Sequence, residues 1–200
     1  MKETTITSLY AMKARGEKIV ALTCYDAGFV PTLEAAGVDL LLVGDSLAMV
    51  IQGHANTLAA TLEQMVYHAS CVARARRRAF LVVDLPFLSF VDIQSALRAA
   101  AALMKEGGAQ MVKLEGGHSQ VHTVAALSAQ GVPVCAHLGL QPQQLHRLGG
   151  YRRQGTDPAS AQRILRDARL LEGAGAQLLV LECVPDGLAQ EVSQALNIPV

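Results

Sequence analysis

Aromatic side chains are scarce, at 4% of the 200 residues, and charged ones make up only 17%. Half the residues are hydrophobic, so the chain does not have the composition of a disordered segment. Acidic and basic residues balance at 17 each, and no net charge points to a polyanion such as nucleic acid. The four cysteines, Cys24, Cys71, Cys135 and Cys183, are far apart and form no CxxC pair, which reads as free thiols in a reducing cytoplasm. The opening MKETTITSLY has no apolar signal core, and no run approaches the roughly 20 apolar residues of a membrane span. The expectation is a soluble, cytoplasmic protein. No GxGxxG follows the first apolar run, which argues against a dinucleotide-binding sheet.

What is present is a repeat. Short apolar runs, each followed by a polar residue, a loop and a helical pattern, recur as KIVALTC (18–24), VDLLLVGD (38–45), AFLVVD (79–84), AQMVKLE (109–115), VPVCAHL (132–138) and AQLLVLE (176–182). Near-continuous apolar runs fit parallel strands covered on both faces. Between them, 61–78 opens with Thr61 and Gln64 as a capping box. Residues 92–106 open on Asp92 and predict Leu97, Ala101 and Met104 on one face, and 159–172 places Ile164, Ala168 and Leu171 at helical spacing. GGAQ (107–110) and GAGAQ (173–177) read as matching helix stops. Residues 3–14 predict a helix outside the repeat, covering a barrel floor.

Alternating strands and helices predict an α/β fold with a parallel sheet. Six units and a seventh run opening at IPV (198–200) favour a (β/α)8 TIM-type barrel over an open sheet. Such barrels run to about 250 residues, so the expectation is a single barrel domain over 1–200, truncated within its seventh strand and without its closing units. A chain ending there is expected to be a poor enzyme by itself.

Catalytic groups of barrels sit at the C-terminal ends of strands. Five consecutive runs end in ionisable groups: Asp45 (followed by Ser46), Asp84, Lys113 with Glu115, His137, and Glu182. A lone carboxylate there could simply cap a helix or pair with a lysine. Four gathered at one rim would repel unless something positive lay among them, and Lys113 neutralises only one. A divalent metal answers this, and an oxygen donor set suits Mg²⁺ or Mn²⁺ better than zinc.

Other features take plainer readings. RARRR (74–78) reads as a solvated helix end, and His54, His68, His118, His122 and His146 as surface or satisfied polar residues. The glycine pairs of EGGH (115–118) and LGGY (148–151) could hold an anion but read better as tight turns. The Pro- and Gly-containing stretch 139–158 reads as a loop over the rim.

The stretch LLVGDSLAMVIQGHANTL (41–58) resembles the signature of ketopantoate hydroxymethyltransferases. The resemblance continues through DLPFLSF (84–90), MVKLEGG (111–117), VPVCAHLGLQPQ (132–143), GGYRRQG (149–155) and GAQLLVLECVP (175–185), over essentially the whole chain. It implies a TIM-type barrel of the phosphoenolpyruvate/pyruvate kind. It implies transfer of a hydroxymethyl group from 5,10-methylenetetrahydrofolate to 3-methyl-2-oxobutanoate, giving 2-dehydropantoate for pantothenate and coenzyme A, through a Mg²⁺-stabilised enolate. By the same resemblance, Asp45, Asp84 and Glu115 are metal ligands. Asp45, Ser46, Asp84 and Lys113 contact the oxo acid, His137 is a site histidine, and Glu182 is the proton acceptor. The resemblance also implies a homo-oligomer, a decamer. The implied partners are thus a small 2-oxo acid and a folate, with neither nucleic acid nor membrane. Ala48 replaces a family glycine, Gln141 a family threonine, and HANTLAAT (54–61) is looser than the family loop, which bears on loop geometry rather than on ligands. Two other readings are a Mg²⁺-dependent C–C lyase on another 2-oxo acid and a non-catalytic fragment or assembly protein of the same fold.

Overall fold

The computed structural model describes residues 3–200, which fall into two compact units, one extending to Lys113 and the other running from Leu114 to Val200. The strands follow chain order, β1 to β6, and the pairs β1–β2, β2–β3, β3–β4 and β5–β6 are parallel.

The first unit contains α1 (Ile6–Ala14), β1 (Ala21–Thr23), α2 (Val30–Ala35), β2 (Leu40–Val43), α3 (Leu47–Val50), α4 (Leu62–Ala75), β3 (Phe80–Asp84), α5 (Ile93–Lys105) and most of β4 (Met111–Glu115). Its register pairs Ala21 with Leu40, Val43 with Val83, and Asp84 with Lys113. The second unit contains the end of β4, α6 (Val121–Ala129), β5 (Val134–Gly139), α7 (Leu145–Leu148), α8 (Pro158–Gly173), β6 (Leu178–Glu182) and α9 (Asp186–Ala195). There Cys135 pairs with Leu178 and Gly139 with Glu182.

Helix ends follow from local chemistry. The expected capping box at Thr61 and Gln64 is present, and Asp92 caps α5 with Ser95 as its box partner. Asp157 and Ser160 repeat the device on α8, where Pro158 fills a first-turn position that needs no N–H donor. The two matching stops are also present. Gly108 and Gly175 take positive φ of 74° and 105°, and the glutamine two residues on gives its N–H to the preceding strand: Gln110 to Leu81 and Gln177 to Val134.

A second device recurs at the strand entrances. The buried Glu34 carboxylate accepts N–H bonds from Arg77, Arg78 and Ala79, ahead of β3. Burial alone would raise its pKa, but the N–H donors of Ala79, Arg78 and Arg77 outweigh that and hold the carboxyl below its ordinary value. Glu172 likewise accepts from Asn197 and Ile198, and the Leu179 N–H bonds the Pro199 carbonyl alongside β6.

Five expectations are corrected. The buried face of α5 is Ala96, Ala99, Ala100 and Leu103, not Leu97, Ala101 and Met104. Small residues are needed there because α5 and the turn after it pack closely on α4: a Cβ at Gly107 would stand 3.1 Å from Ala69 Cβ. The helix expected over 61–78 stops at Ala75, and RARRR is not a solvated end throughout. Arg76 pairs with Glu3 and Arg78 with Asp39, at 2.8 and 3.2 Å, with both guanidinium groups largely buried. The helix expected over 3–14 starts only at Ile6, capped by Thr5, and the Thr4 N–H bonds the Arg78 carbonyl. Finally, β1 is exposed along its length, because it is an edge strand paired to β2 and not covered on both faces.

No helix among the described residues is long and apolar enough to cross a membrane. The four cysteines are free thiols.

Candidate active site

Strand ends place the predicted residues in two groups. In the first unit, register makes Asp84 and Lys113 direct neighbours, and Lys113 Nζ lies 2.5 Å from Asp84 Oδ1 with both side chains 6% exposed. The chain leaves β2 through Gly44, and the Asp45 N–H donates to Asp84 Oδ2 at 3.1 Å. A Cβ on Gly44 would stand 3.3 Å from that same oxygen and 3.1 Å from Ser46 Oγ, so glycine lets the two strand ends close up. Ser46 Oγ is 2.7 Å from the Tyr25 hydroxyl. Asp45, Ser46, Asp84 and Lys113 are therefore brought together, as expected from the sequence. Tyr25 joins them although it was not foreseen, because it lies just past the first apolar run, which ends in no carboxylate, lysine or histidine.

In the second unit, alternation along β5 and β6 sets the geometry. His137 is the Cα partner of Val180, and Glu182 lies two residues further along the same face. His137 Nε2 lies 3.4 Å from Glu182 Oε2, and its Nδ1 lies 3.8 Å from Glu115 Oε1. Glu115 and His137 are buried, whereas the Glu182 side chain is 40% exposed. Glu115 Oε2 also accepts the Gln143 N–H at 3.0 Å. Gln143 was likewise missed, since it acts through its backbone, which side-chain chemistry does not reveal.

Both units bend their backbones just past these residues. Leu88, four residues after Asp84, has φ of 61°, and Cys183, directly after Glu182, has φ of 48°. They are the positive-φ residues other than glycine among those described, and such strain concentrates at functional loops. The stretch 139–158, expected as a loop over the rim, folds into a turn at Pro142–Gln144 and α7, and the Gln154 N–H ties it to the Cys183 carbonyl.

Among the described residues, no three His, Cys, Asp or Glu side chains are gathered so as to hold a metal ion by themselves. Mg²⁺ does not require that. It keeps several waters and is commonly bound by one or two carboxylates plus oxygens of a substrate. Asp45 and Asp84 adjoin through the Asp45 N–H bond to the Asp84 carboxylate, and both carry the hard oxygen donors such an ion takes.

Solved structures define the class of fold. 2,3-Dimethylmalate lyase, a PEP mutase/isocitrate lyase superfamily member, matches with a TM-score of 0.69 over 98% of this chain and 70% of its own, at 18% identity. A putative phosphonomutase from Burkholderia cenocepacia J2315 matches with a TM-score of 0.76 over 98% and 82%, at 17% identity. The chain thus shares the α/β fold of these two proteins. Residues 3–200 match the ketopantoate hydroxymethyltransferase family. The 3-methyl-2-oxobutanoate hydroxymethyltransferase of Halorhodospira halophila is 57% identical over 196 residues, covering 98% of this chain and 71% of that protein. The protein of that name from Methylococcus capsulatus is 56% identical over 195 residues, covering 98% and 72%. The chain belongs to the ketopantoate hydroxymethyltransferase family.

Proposed function

We propose that this chain is an enzyme of pantothenate biosynthesis that transfers a hydroxymethyl group from 5,10-methylenetetrahydrofolate to 3-methyl-2-oxobutanoate, giving 2-dehydropantoate. Family membership motivates the reading. The observation that carries it is the buried Asp84–Lys113 pair beside Asp45 and Ser46, two carboxylates and one lysine that suit a divalent cation and, with it, an oxygen-rich acid. The parallel strands in chain order are read as part of a (β/α)8 barrel, with the Leu179–Pro199 hydrogen bond marking where a seventh strand begins.

Asp45 and Asp84 are the carboxylates that would hold Mg²⁺; Glu115, the third ligand that the resemblance implies, instead faces His137 and accepts the Gln143 N–H. When bound, the ion supplies Lewis-acid polarisation of the oxo-acid oxygens. Lys113 offsets the substrate's negative charge from within a buried setting, where a fixed charge acts strongly. The Ser46 hydroxyl donates a hydrogen bond to the oxo acid. Glu182 takes the proton from C3, which is acidified by the neighbouring ketone. His137, 3.4 Å from Glu182 Oε2, positions that carboxylate. The resulting carbon nucleophile attacks the one-carbon unit, whose activation belongs to the folate.

The test is proton exchange at C3 of 3-methyl-2-oxobutanoate in deuterated water, followed by NMR without folate. Exchange is expected with protein and Mg²⁺ together and is expected to fall to background when the ion is chelated. Protein that binds Mg²⁺ and the oxo acid yet gives no exchange above background would sink the reading.

A further inference from the structure

Helix α4 packs against β2 and β3, and its inward face carries one polar side chain. Met65, Ala69 and Val72 are its buried residues, and His68 falls among them at the i, i+3, i+4, i+7 spacing of that face. His68 Nδ1 lies 2.7 Å from the Tyr25 carbonyl oxygen. A carbonyl accepts, so Nδ1 carries the proton and donates it. The residues on either side of Tyr25 are held as well. The Cys24 N–H donates to the Leu42 carbonyl at 3.0 Å, and Asp26 Oδ1 accepts the N–H groups of Gly28 and Phe29 at 2.7 and 3.1 Å. β1 is an edge strand of three residues, so the turn that follows it takes its order from these bonds more than from the sheet.

A histidine on the inward face of a helix can serve only to satisfy a buried carbonyl. The far side of Tyr25 gives this one a further role. The Tyr25 hydroxyl lies 2.7 Å from Ser46 Oγ. Ser46 stands at the N-cap of α3, where a serine ordinarily accepts from the helix N–H groups, yet its side chain makes no capping bond. Its hydroxyl is turned to Tyr25 instead, next to Asp45, whose N–H meets the buried Asp84 carboxylate. His68, Tyr25 and Ser46 are thus linked in series, from α4 through the turn after β1 to the start of α3.

We propose that His68 is a positioning residue for the 2-oxo acid, acting through Tyr25 on the Ser46 hydroxyl. The inference rests on the proposed function, in which Ser46 donates to the oxo acid. Holding the Tyr25 carbonyl fixes the backbone from which the ring reaches. Tyrosine has two side-chain torsions, so a fixed backbone leaves its hydroxyl few places to stand. With Tyr25 donating, the Ser46 hydrogen is directed at the ligand. Without the anchor, a shift of about 1 Å takes the 2.7 Å contact beyond hydrogen-bond range, and the serine can turn back to cap its own helix.

Two measurements on the full chain test this. The first needs no ligand. NMR with tyrosine isotopically labelled at Cζ reports the hydrogen bond of each hydroxyl, and the Tyr25 resonance is the one missing in Tyr25→Phe. His68→Leu is expected to move that resonance to where Ser46→Ala moves it. His68→Asn, which keeps an N–H donor at the same remove from the backbone, is expected to leave it in place. The second is calorimetric titration with 3-methyl-2-oxobutanoate in the presence of Mg²⁺. His68→Leu is expected to raise Kd by about 2- to 13-fold, as loss of one neutral hydrogen bond does, and His68→Asn to stay within about 2-fold of wild type. In a Ser46→Ala background His68→Leu is expected to add nothing, whereas a histidine that only supports packing would have the same effect in both backgrounds. If His68→Leu folds poorly, His68→Gln takes its place, since its donor lies one bond further out. An unmoved Tyr25 resonance, or equal effects in the two backgrounds, would overturn the role of His68 and leave the proposed activity standing. Wild-type protein that binds no oxo acid would overturn the proposed function and this role together, and the titration of wild type alone separates that result from the others.

Discussion

The Tyr25 hydroxyl lies 2.7 Å from Ser46 Oγ, joining the loop after β1 to the loop after β2. The loop itself is anchored from α4, where His68 Nδ1 lies 2.7 Å from the Tyr25 carbonyl oxygen. A carbonyl can only accept, so this nitrogen carries the proton. If Tyr25 donates to Ser46, the serine keeps its own hydrogen for a ligand oxygen. Tyr25→Phe is therefore expected to raise the dissociation constant of 3-methyl-2-oxobutanoate by about 2- to 13-fold, the range of one neutral hydrogen bond. Adding Ser46→Ala to Tyr25→Phe should then cost little more than Ser46→Ala alone. Fully additive losses in that double-mutant cycle would show that the two hydroxyls act separately.

Glu182 is the other end of the proposed chemistry. Glu182→Gln preserves size and removes the proton acceptor. It is expected to retain oxo-acid binding within a few-fold and to slow C3 exchange by about 10²- to 10⁴-fold. The measurement is exchange rate against binding constant in the same preparation. Near-normal exchange would transfer the base to another group, with His137 the nearest candidate at 3.4 Å.

The strands were legible in the sequence because each of the six apolar runs overlaps one, and the residues that mark the ends of those runs lie at or near strand ends, in two groups. Two kinds of feature were not. The α5 face was misplaced because large apolar residues seemed to mark it, whereas close helix packing selects alanines and leaves Leu97 and Met104 partly exposed. Tyr25 and Gln143 were missed for a different reason. Their placement depends on contacts 21 and 28 residues away, to Ser46 and Glu115 respectively, and no local pattern encodes such a contact. Arg76 and Arg78 show the same limit. A basic run at a helix end is ordinarily solvated, and their partners Glu3 and Asp39 lie 73 and 39 residues away.

The clamp at Glu34 sets an expectation for acid stability. Its folded carboxyl titrates below its unfolded value, so the stabilisation is fully present above the unfolded pKa and is lost as pH falls through the folded one. Glu34→Ala would strip the acceptor from three N–H groups ahead of β3 and is expected to cost about 2–3 kcal/mol at neutral pH. Its deficit relative to wild type should shrink as the solution is acidified below about pH 4, near the unfolded glutamate value. Thermal unfolding at neutral and acidic pH measures this. A deficit that does not change with pH would mean that packing, not charge, explains the loss.

Gly139 is where fold and proposed chemistry meet most directly. It ends β5 with φ of 89°, a conformation that favours glycine, and it is the register partner of Glu182. A Cβ there would land well inside contact distance of the Glu182 carbonyl oxygen and 2.8 Å from Val184 Cγ1. The first of these is backbone, which cannot turn aside as a side chain can. The Leu140 N–H also donates to that carbonyl at 2.8 Å, so the strand end cannot retreat without losing a hydrogen bond. Gly139→Ala should therefore displace Glu182 as well as strain the chain. The expected cost is about 2–4 kcal/mol from overpacking and unfavourable φ together. A shift of about 1 Å in a catalytic group can lower the rate on the order of 10²-fold, so C3 exchange should fall by that order while Mg²⁺ binding at Asp45 and Asp84 persists. Thermal unfolding and exchange measured on the same variant separate the two effects. A variant that is destabilised but exchanges at the wild-type rate would show that Glu182 does not depend on this backbone contact for its position.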